Sequence, residues 1–167
     1  MSRIIEIASN IAIILVCGMV GVQALRHSSR SVAAQKPAYT RGETIRIPGV
    51  DFSAADRTLL LVVRKDCHFC EASMPFYQSL GSIRRQSPGA RIVALTSDDV
   101  ATGTTNFEQH GVQIDQVVTV RFGDLKVSGT PTAILIDRTS VVRAIWSGQL
   151  DDATQNEVRR ALVSTAG

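Results

Sequence analysis

Hydrophobic and polar positions divide the chain into an apolar stretch, a polar stretch, and a long region in which two periods alternate. Residues 7–25 carry no charge, and residues 11–22 are almost wholly apolar or small. Nineteen residues of helix reach about 28 Å, close to the hydrocarbon thickness of a bilayer, so the pattern predicts one membrane-spanning helix. Val22-Gln23-Ala24 also offers a small-residue cleavage site, which makes a cleaved signal peptide the alternative. Residues 28–42 are polar, without apolar periodicity, and read as a tether. The expected division is a membrane anchor or signal at 1–27, a linker at 28–42 and a folded domain at 43–167.

Within the domain, residues 44–47 alternate and are bounded by Pro48-Gly49, predicting a short strand and a turn. Residues 51–56 read as a loop. The run TLLLVVR at 58–64 is continuously apolar to Val63, the pattern of a strand buried on both faces. Phe69, Ala72, Phe76, Leu80 and Ile83 then fall at helical spacing, with Pro75 expected to kink the helix and Ser87-Pro88-Gly89 to end it. RIVALT at 91–96 predicts a second core strand. Ser97-Asp98-Asp99 can cap a helix over 100–110 that stops at Gly111. Residues 116–121, 132–136 and 141–146 predict three further strands. Asp151-Asp152 opens a last helix ending near Val163, where Arg159 and Arg160 suit its dipole. Strands alternating with helices and closing on a strand pair predict an α/β fold with a central mixed β-sheet flanked by helices. There are no internal repeats.

Composition agrees with one globular domain plus an appendage: 167 residues, 44% hydrophobic and 20% charged. The net charge of +3 is unevenly placed. Residues 26–46 hold five basic residues and one acid, whereas residues 47–167 hold 12 basic and 13 acidic residues. The folded part is nearly neutral, which excludes a nucleic-acid footprint, and the excess beside the apolar stretch points to a membrane surface. The positive-inside tendency taken literally would place the domain in the cytoplasm. A dithiol favours an oxidising compartment, so the expected location is the extracytoplasmic, periplasmic side of a single-pass anchor, or the periplasm itself after cleavage. The pattern sets no oligomeric state.

Of three cysteines, Cys17 lies in the apolar stretch, and Val16 before it is a poor residue for lipid attachment. Cys67-His68-Phe69-Cys70 lies where an apolar strand ends and a helical pattern begins. A C-x-x-C pair is ambiguous between redox chemistry and half of a zinc site, with a structural disulfide as a third possibility. There is no second pair or nearby His pair to complete a tetrahedral metal site. A strand-to-helix junction offers free backbone N–H groups and the positive end of the helix dipole, both of which favour a thiolate. On the redox alternative Cys67 is the exposed nucleophile and Cys70 the resolving thiol. His68 in its charged form would lower the thiol pKa and Asp66 would raise it. No cofactor beyond the Cys67–Cys70 disulfide is called for. His27 and His110 read as solvated flank or loop residues, and Phe122 and Trp146 as packing.

Taken together, these residues resemble the thioredoxin superfamily, and most closely its membrane-tethered TlpA/ResA-like thiol–disulfide oxidoreductases. The resemblance spans about residues 43–163. It rests on CHFC followed by Glu71-Ala72-Ser73-Met74-Pro75, similar to C-x-x-C-x-x-E-M-P, and on Val127-Ser128-Gly129-Thr130-Pro131-Thr132, similar to V-x-G-T-P-T. Trp146 and Gly148 also fit the closing strand. The resemblance implies a thioredoxin-like fold, protein thiols and disulfides as partners, and a cis Pro131 lying against the dithiol, with the Thr130 backbone pairing with a bound substrate chain. The sequence departs from the family at Asp66, where Trp is usual, and at Ser73, where Glu is usual, and residues 59–63 lack the buried acid thioredoxins use for proton transfer. A peroxidase of the peroxiredoxin kind is disfavoured because Arg64 stands where that chemistry places Thr. A non-enzymatic binding module, or a tethered carrier of Cu(I) on two thiolates, is the alternative of a different class.

Overall fold

The structure, a computed structural model, describes residues 38–164. The predicted spanning helix and most of the linker lie outside those residues. Among the described residues no helix is long and apolar enough to cross a membrane.

Five strands form one mixed sheet: β1 (Arg57–Val62), β2 (Ala90–Thr96), β3 (Gln116–Thr119), β4 (Thr132–Asp137) and β5 (Val142–Ser147), in the order β3-β2-β1-β4-β5. β1, β2 and β3 are parallel, while β4 runs antiparallel to β1 and β5 antiparallel to β4. The helices are α1 (His68–Ala72), α2 (Met74–Gln86), α3 (Val100–Gln109) and α4 (Asp152–Val163). Each of the last two opens on an aspartate, Asp99 or Asp151, whose carboxylate accepts the N–H three residues on. Gly111, at φ +65°, stops α3, a left-handed conformation glycine adopts at little cost.

The strand pattern sorts its side chains by period two. Leu59, Leu61, Ile92 and Ala94 face one core, with Phe76, Tyr77 and Leu80 of α2, Phe107 of α3, and Val158 and Leu162 of α4. Leu60, Val62, Val93 and Leu95 face the other. Each large aliphatic side chain so buried contributes roughly 1.5–3 kcal/mol. The buried hydrophobic side chains of all four α-helices belong to the first core. Connections from β1 to β2 to β3 proceed in one direction across the sheet, and right-handed crossovers therefore place α2 and α3 on the same face. α3 lies close to the sheet, since a Cβ on Gly103 would stand 3.0 Å from both Thr96 Cγ2 and Val117 Cγ1.

The second face is covered by irregular chain: Tyr39, Ile45, Ile47 and Phe52 from before β1, and Leu125 and Val127 from before β4. Residues 39–42, expected in the linker, pack on the domain here. The Tyr39 N–H donates to Lys126 O, and the Gly42 N–H donates to Val142 O. Residues 44–47 alternate as predicted, with Ile45 and Ile47 buried, but they form a single bridge, Thr44 with Val141, rather than a strand. Pro48 has no N–H to extend the ladder. The predicted kink becomes a break. Ser73 separates α1 from α2, Pro75 falls in the first turn of α2, where its missing N–H costs nothing, and the Ser73 hydroxyl donates to Phe69 O at 2.7 Å.

Candidate active site

β1 delivers the dithiol. Beyond Val62 the Val63 N–H still bonds Leu95 O, and the chain then turns outward through Arg64, Lys65 and Asp66. Asp66 is left-handed at φ +57°, a region asparagine and aspartate tolerate better than most residues. Cys67 follows as the N-cap of α1. Its Sγ accepts the Cys70 N–H at 3.3 Å, and its carbonyl accepts the N–H groups of Cys70 and Glu71. Cys67 and Cys70 are joined in a disulfide with Cα atoms 5.1 Å apart. Cys67 is 7% exposed and Cys70 is 0% exposed, so of the two residues Cys67 is the one that reaches the surface.

β4 delivers the other half. Val62 pairs with Thr132 on the last rung between β1 and β4, which places residues 129–131 directly across from the turn leading to Cys67. The Thr130–Pro131 peptide bond is cis. The Thr130 hydroxyl donates to Cys67 Sγ at 3.4 Å, and Thr130 O stands 3.6 Å from the same sulfur. Two bonds hold this loop: Thr132 Oγ1 donates to Gly129 O, and the Gly148 N–H donates to Pro131 O, both at 2.8 Å. An open groove of about 540 Å³ runs between the two halves, lined by Arg64, Cys67, Phe69, Phe122, Val127 and Thr130 among others.

Asp66 and His68 are exposed on the rim of this groove. Phe69, expected on the apolar face of the helix, is instead 54% exposed, with the His68 ring edge-on to it at 5.5 Å. The break at Ser73 ends the first helical turn, so the apolar spacing that begins at Phe69 does not continue into α2. Ser73, where the resemblance leads one to expect Glu, is buried, its hydroxyl bonded to Phe69 O. Burial drives the Tyr77 phenol up to about 12, with the Ser73 contact opposing this only in part. The nearest acids to the dithiol, Asp66 and Glu71, are exposed, and the one buried acid among the described residues, Asp137, stands at the opposite end of the sheet. No described group of three or more His, Cys, Asp or Glu is arranged to hold a metal ion.

His110 is not the solvated loop residue expected. Its Nδ1 lies 2.8 Å from Asn106 O and its Nε2 lies 3.0 Å from Glu71 Oε2. Both ring nitrogens face oxygen atoms of neighbouring residues. The contact ties the end of α3 to the residue after Cys70. No local periodicity links positions so far apart in the chain, so the pair was illegible in the sequence. The exposure of Phe69 goes with a helix break at Ser73, a residue that stands out in the sequence as a departure from the resembled family but not as a break.

No protein-family model and no curated protein matches the chain. Solved structures do. A protein from Chlorobium tepidum, assigned there as a thiol:disulfide interchange protein DsbE, is 19% identical with a TM-score of 0.58, covering 76% of this chain and 100% of its own. This is a thioredoxin fold. The thioredoxin domain of a thiol–disulfide oxidoreductase from Bacteroides vulgatus is 17% identical with a TM-score of 0.57, covering 75% of this chain and 99% of its own. A thiol–disulfide isomerase from Corynebacterium glutamicum is 21% identical with a TM-score of 0.53, covering 78% and 98%. At these identities the thioredoxin fold is what is shared, and the chemistry rests on the residues placed in it here.

Proposed function

We propose that this domain is a thiol–disulfide oxidoreductase that exchanges disulfides with partner proteins, Cys67 being the attacking thiol and Cys70 the resolving one. The observation that carries this is the placement of a disulfide-bonded Cys67–Cys70 pair at the β1–α1 junction, with Thr130 and cis Pro131 against the outer sulfur. In the reduced protein the Cys67 thiolate attacks one sulfur of a partner disulfide and expels the other as a thiolate. Cys70 then attacks Cys67, closing the internal disulfide and releasing the partner's second thiol. The Cys70 N–H and the first turn of α1 favour the thiolate at Cys67. Thr130 and Pro131 form the substrate-binding edge, and Asp66 and His68 tune the thiol. The Cys67–Cys70 couple is the only redox group this chemistry needs.

The proposal extends to location: residues 7–25 anchor the chain, and the domain stands on the extracytoplasmic side, as the apolar stretch and the oxidised pair together favour. The test of activity is dithiol-driven reduction of a protein disulfide by the purified chain. Turnover that Cys67→Ser abolishes, with Cys70→Ser accumulating a mixed disulfide, sustains the proposal. Absence of exchange with stoichiometric Cu(I) binding would replace it with the carrier alternative. Thiol labelling of intact cells, after reduction, tests location: labelling of Cys67 only after lysis would overturn an extracytoplasmic domain. The Cys67–Cys70 reduction potential then sets the direction of electron flow, about 30 mV being tenfold in equilibrium constant.

A further inference from the structure

The chain leading to Thr130 forms one wall of the groove beside Cys67, contributing Phe122, Val127 and Ser128. Both ends of this wall are held by the fold. At one end the Leu125 N–H donates to Phe122 O, closing the turn at 122–124 on itself. At the other, Gly129 O accepts from Thr132 Oγ1 and Pro131 O from the Gly148 N–H. Between them, among the described residues, the backbone of 126–128 makes one hydrogen bond, accepted by Lys126 O from the Tyr39 N–H at 2.9 Å. The Lys126 side chain returns the contact. Its ammonium is paired with the Glu43 carboxylate and stands 5.9 Å from the centre of the Tyr39 ring. Tyr39 is buried in one cluster with Leu125 and Val127. Residues 39–43, at the junction of the expected linker and the domain, are fixed in turn. Glu43 Oε2 accepts the Thr40 N–H at 3.1 Å. On β5, Val142 O accepts the Gly42 N–H and the Val142 N–H donates to Glu43 O, both at 2.8 Å. The middle of the wall is thereby fastened to an edge strand of the sheet.

We infer that Tyr39, Glu43 and Lys126 are positioning residues for disulfide exchange: together they clamp residues 126–128 and hold the groove wall in the form that receives a partner's chain. The inference rests on the exchange chemistry proposed above and adds to it three residues that have no hydrogen bond to either sulfur. Their role lies in binding rather than in the chemical step because of the order of attachment. Thr130 and Pro131, which meet Cys67, are held through Thr132 and Gly148, independently of the clamp. Val127 and Ser128, which line the groove, are held through it. Opening the clamp therefore leaves the surroundings of the thiol in place and frees one wall, and part of the binding free energy then goes to ordering that wall. An exposed ion pair contributes little to global stability, so its loss is read at the groove and not in a thermal melt.

The test uses the full chain in detergent, with insulin as the protein disulfide and dithiothreitol as the reductant. In each cycle one insulin disulfide becomes two thiols, the Cys67–Cys70 dithiol becomes the disulfide, and dithiothreitol reduces it again. Lys126→Met keeps the aliphatic stem and removes the charge, and adding Tyr39→Ala removes the ring as well. Lys126→Met should raise KM for insulin about fourfold, and the two substitutions together about tenfold, with kcat held within about twofold. Lys126→Arg keeps both the ion pair and the cation over the ring, and should restore the KM of the parent chain. The rate with 5,5′-dithiobis(2-nitrobenzoate), too small to need the wall, and the Cys67–Cys70 reduction potential should match the parent in every variant. Circular dichroism checks folding, and if the double variant does not fold, Lys126→Met at its exposed position decides alone. A KM for Lys126→Met within about twofold of the parent, a rise that Lys126→Arg shares, or equal losses in kcat and in the small-disulfide rate overturn the inference while leaving exchange intact. Failure of the parent chain to reduce insulin overturns exchange and the inference together.

Discussion

Two described residues other than glycine lie in left-handed backbone, one at each end of the sheet, and their surroundings could hardly differ more. Ser140, at φ +66°, sits in the turn between β4 and β5. There the Asp137 carboxylate accepts from the Thr139 N–H, the Thr139 hydroxyl, the Val141 N–H and Arg143. Asp66, at φ +57°, sits at the opposite end, between a 3.4 Å contact from the Lys65 N–H to Asp98 and the helix-capping bonds of Cys67. One end of the molecule spends its polar groups on itself. The other leaves Arg64, Lys65, Asp66, His68 and Phe69 exposed around a disulfide. Strain held without local compensation is what a binding or reacting edge of a fold tends to keep.

The strongest way to break this contrast is at Asp137. Burial alone would raise its carboxyl, but the hydrogen bonds from Thr139, Val141 and Arg143 outweigh that and hold it down to about 2 from an ordinary 3.8. A folded value below the unfolded one stabilises the protein fully above the unfolded value, and the contribution is lost as pH falls through 3.8 toward 2. Denaturant titrations should show about 2 kcal/mol disappearing over that window, and Asp137→Asn should remove the slope and a similar amount of stability at pH 7, leaving exchange rates unchanged.

A smaller effect of opposite sign is expected at Thr58, the one buried side-chain oxygen among the described residues without a hydrogen-bond partner, at the otherwise well-satisfied end. Thr58→Val keeps the shape and removes the uncompensated hydroxyl, so the unfolding free energy should rise by about 1 kcal/mol; a loss instead would mean an internal water had been serving it. The two left-handed residues sharpen the comparison further. Ser140→Gly and Asp66→Gly should each stabilise by roughly 0.5–1 kcal/mol. Only Asp66→Gly should also change the rate of disulfide exchange, because it removes a carboxylate beside the attacking thiol. Smallest of all is Phe69→Ser. With 54% of the residue already in water, thermal melts should move by less than about 2 °C while turnover of protein disulfides falls.

How much of this was legible beforehand follows the same division. Core strands were readable because Leu59–Val63 and Ile92–Leu95 leave a continuous apolar run that fits only a doubly covered sheet. Cap residues Asp99 and Asp151 announced their helices. The dithiol and the Thr130-Pro131 loop were legible as motifs, and their juxtaposition followed from resemblance rather than from any local pattern. What failed to show was set by tertiary context. Residues 44–47 have strand alternation, yet the edge they meet accommodates one bridge. Phe69 has core chemistry, but Ser73 ends its helix before the spacing can take effect. His110 and Glu71 meet only where the end of α3 reaches α1, elements far apart in the chain.

The rung between Val62 and Thr132 has a consequence for how the protein is made. During synthesis the chain emerges in order, and both cysteines are out while the residues that will face them are still some sixty positions away. A fragment ending before β4 would carry the whole C-x-x-C motif and only half of the site. The candidate site is therefore not a motif but a strand pairing, complete only where β4 lies on β1.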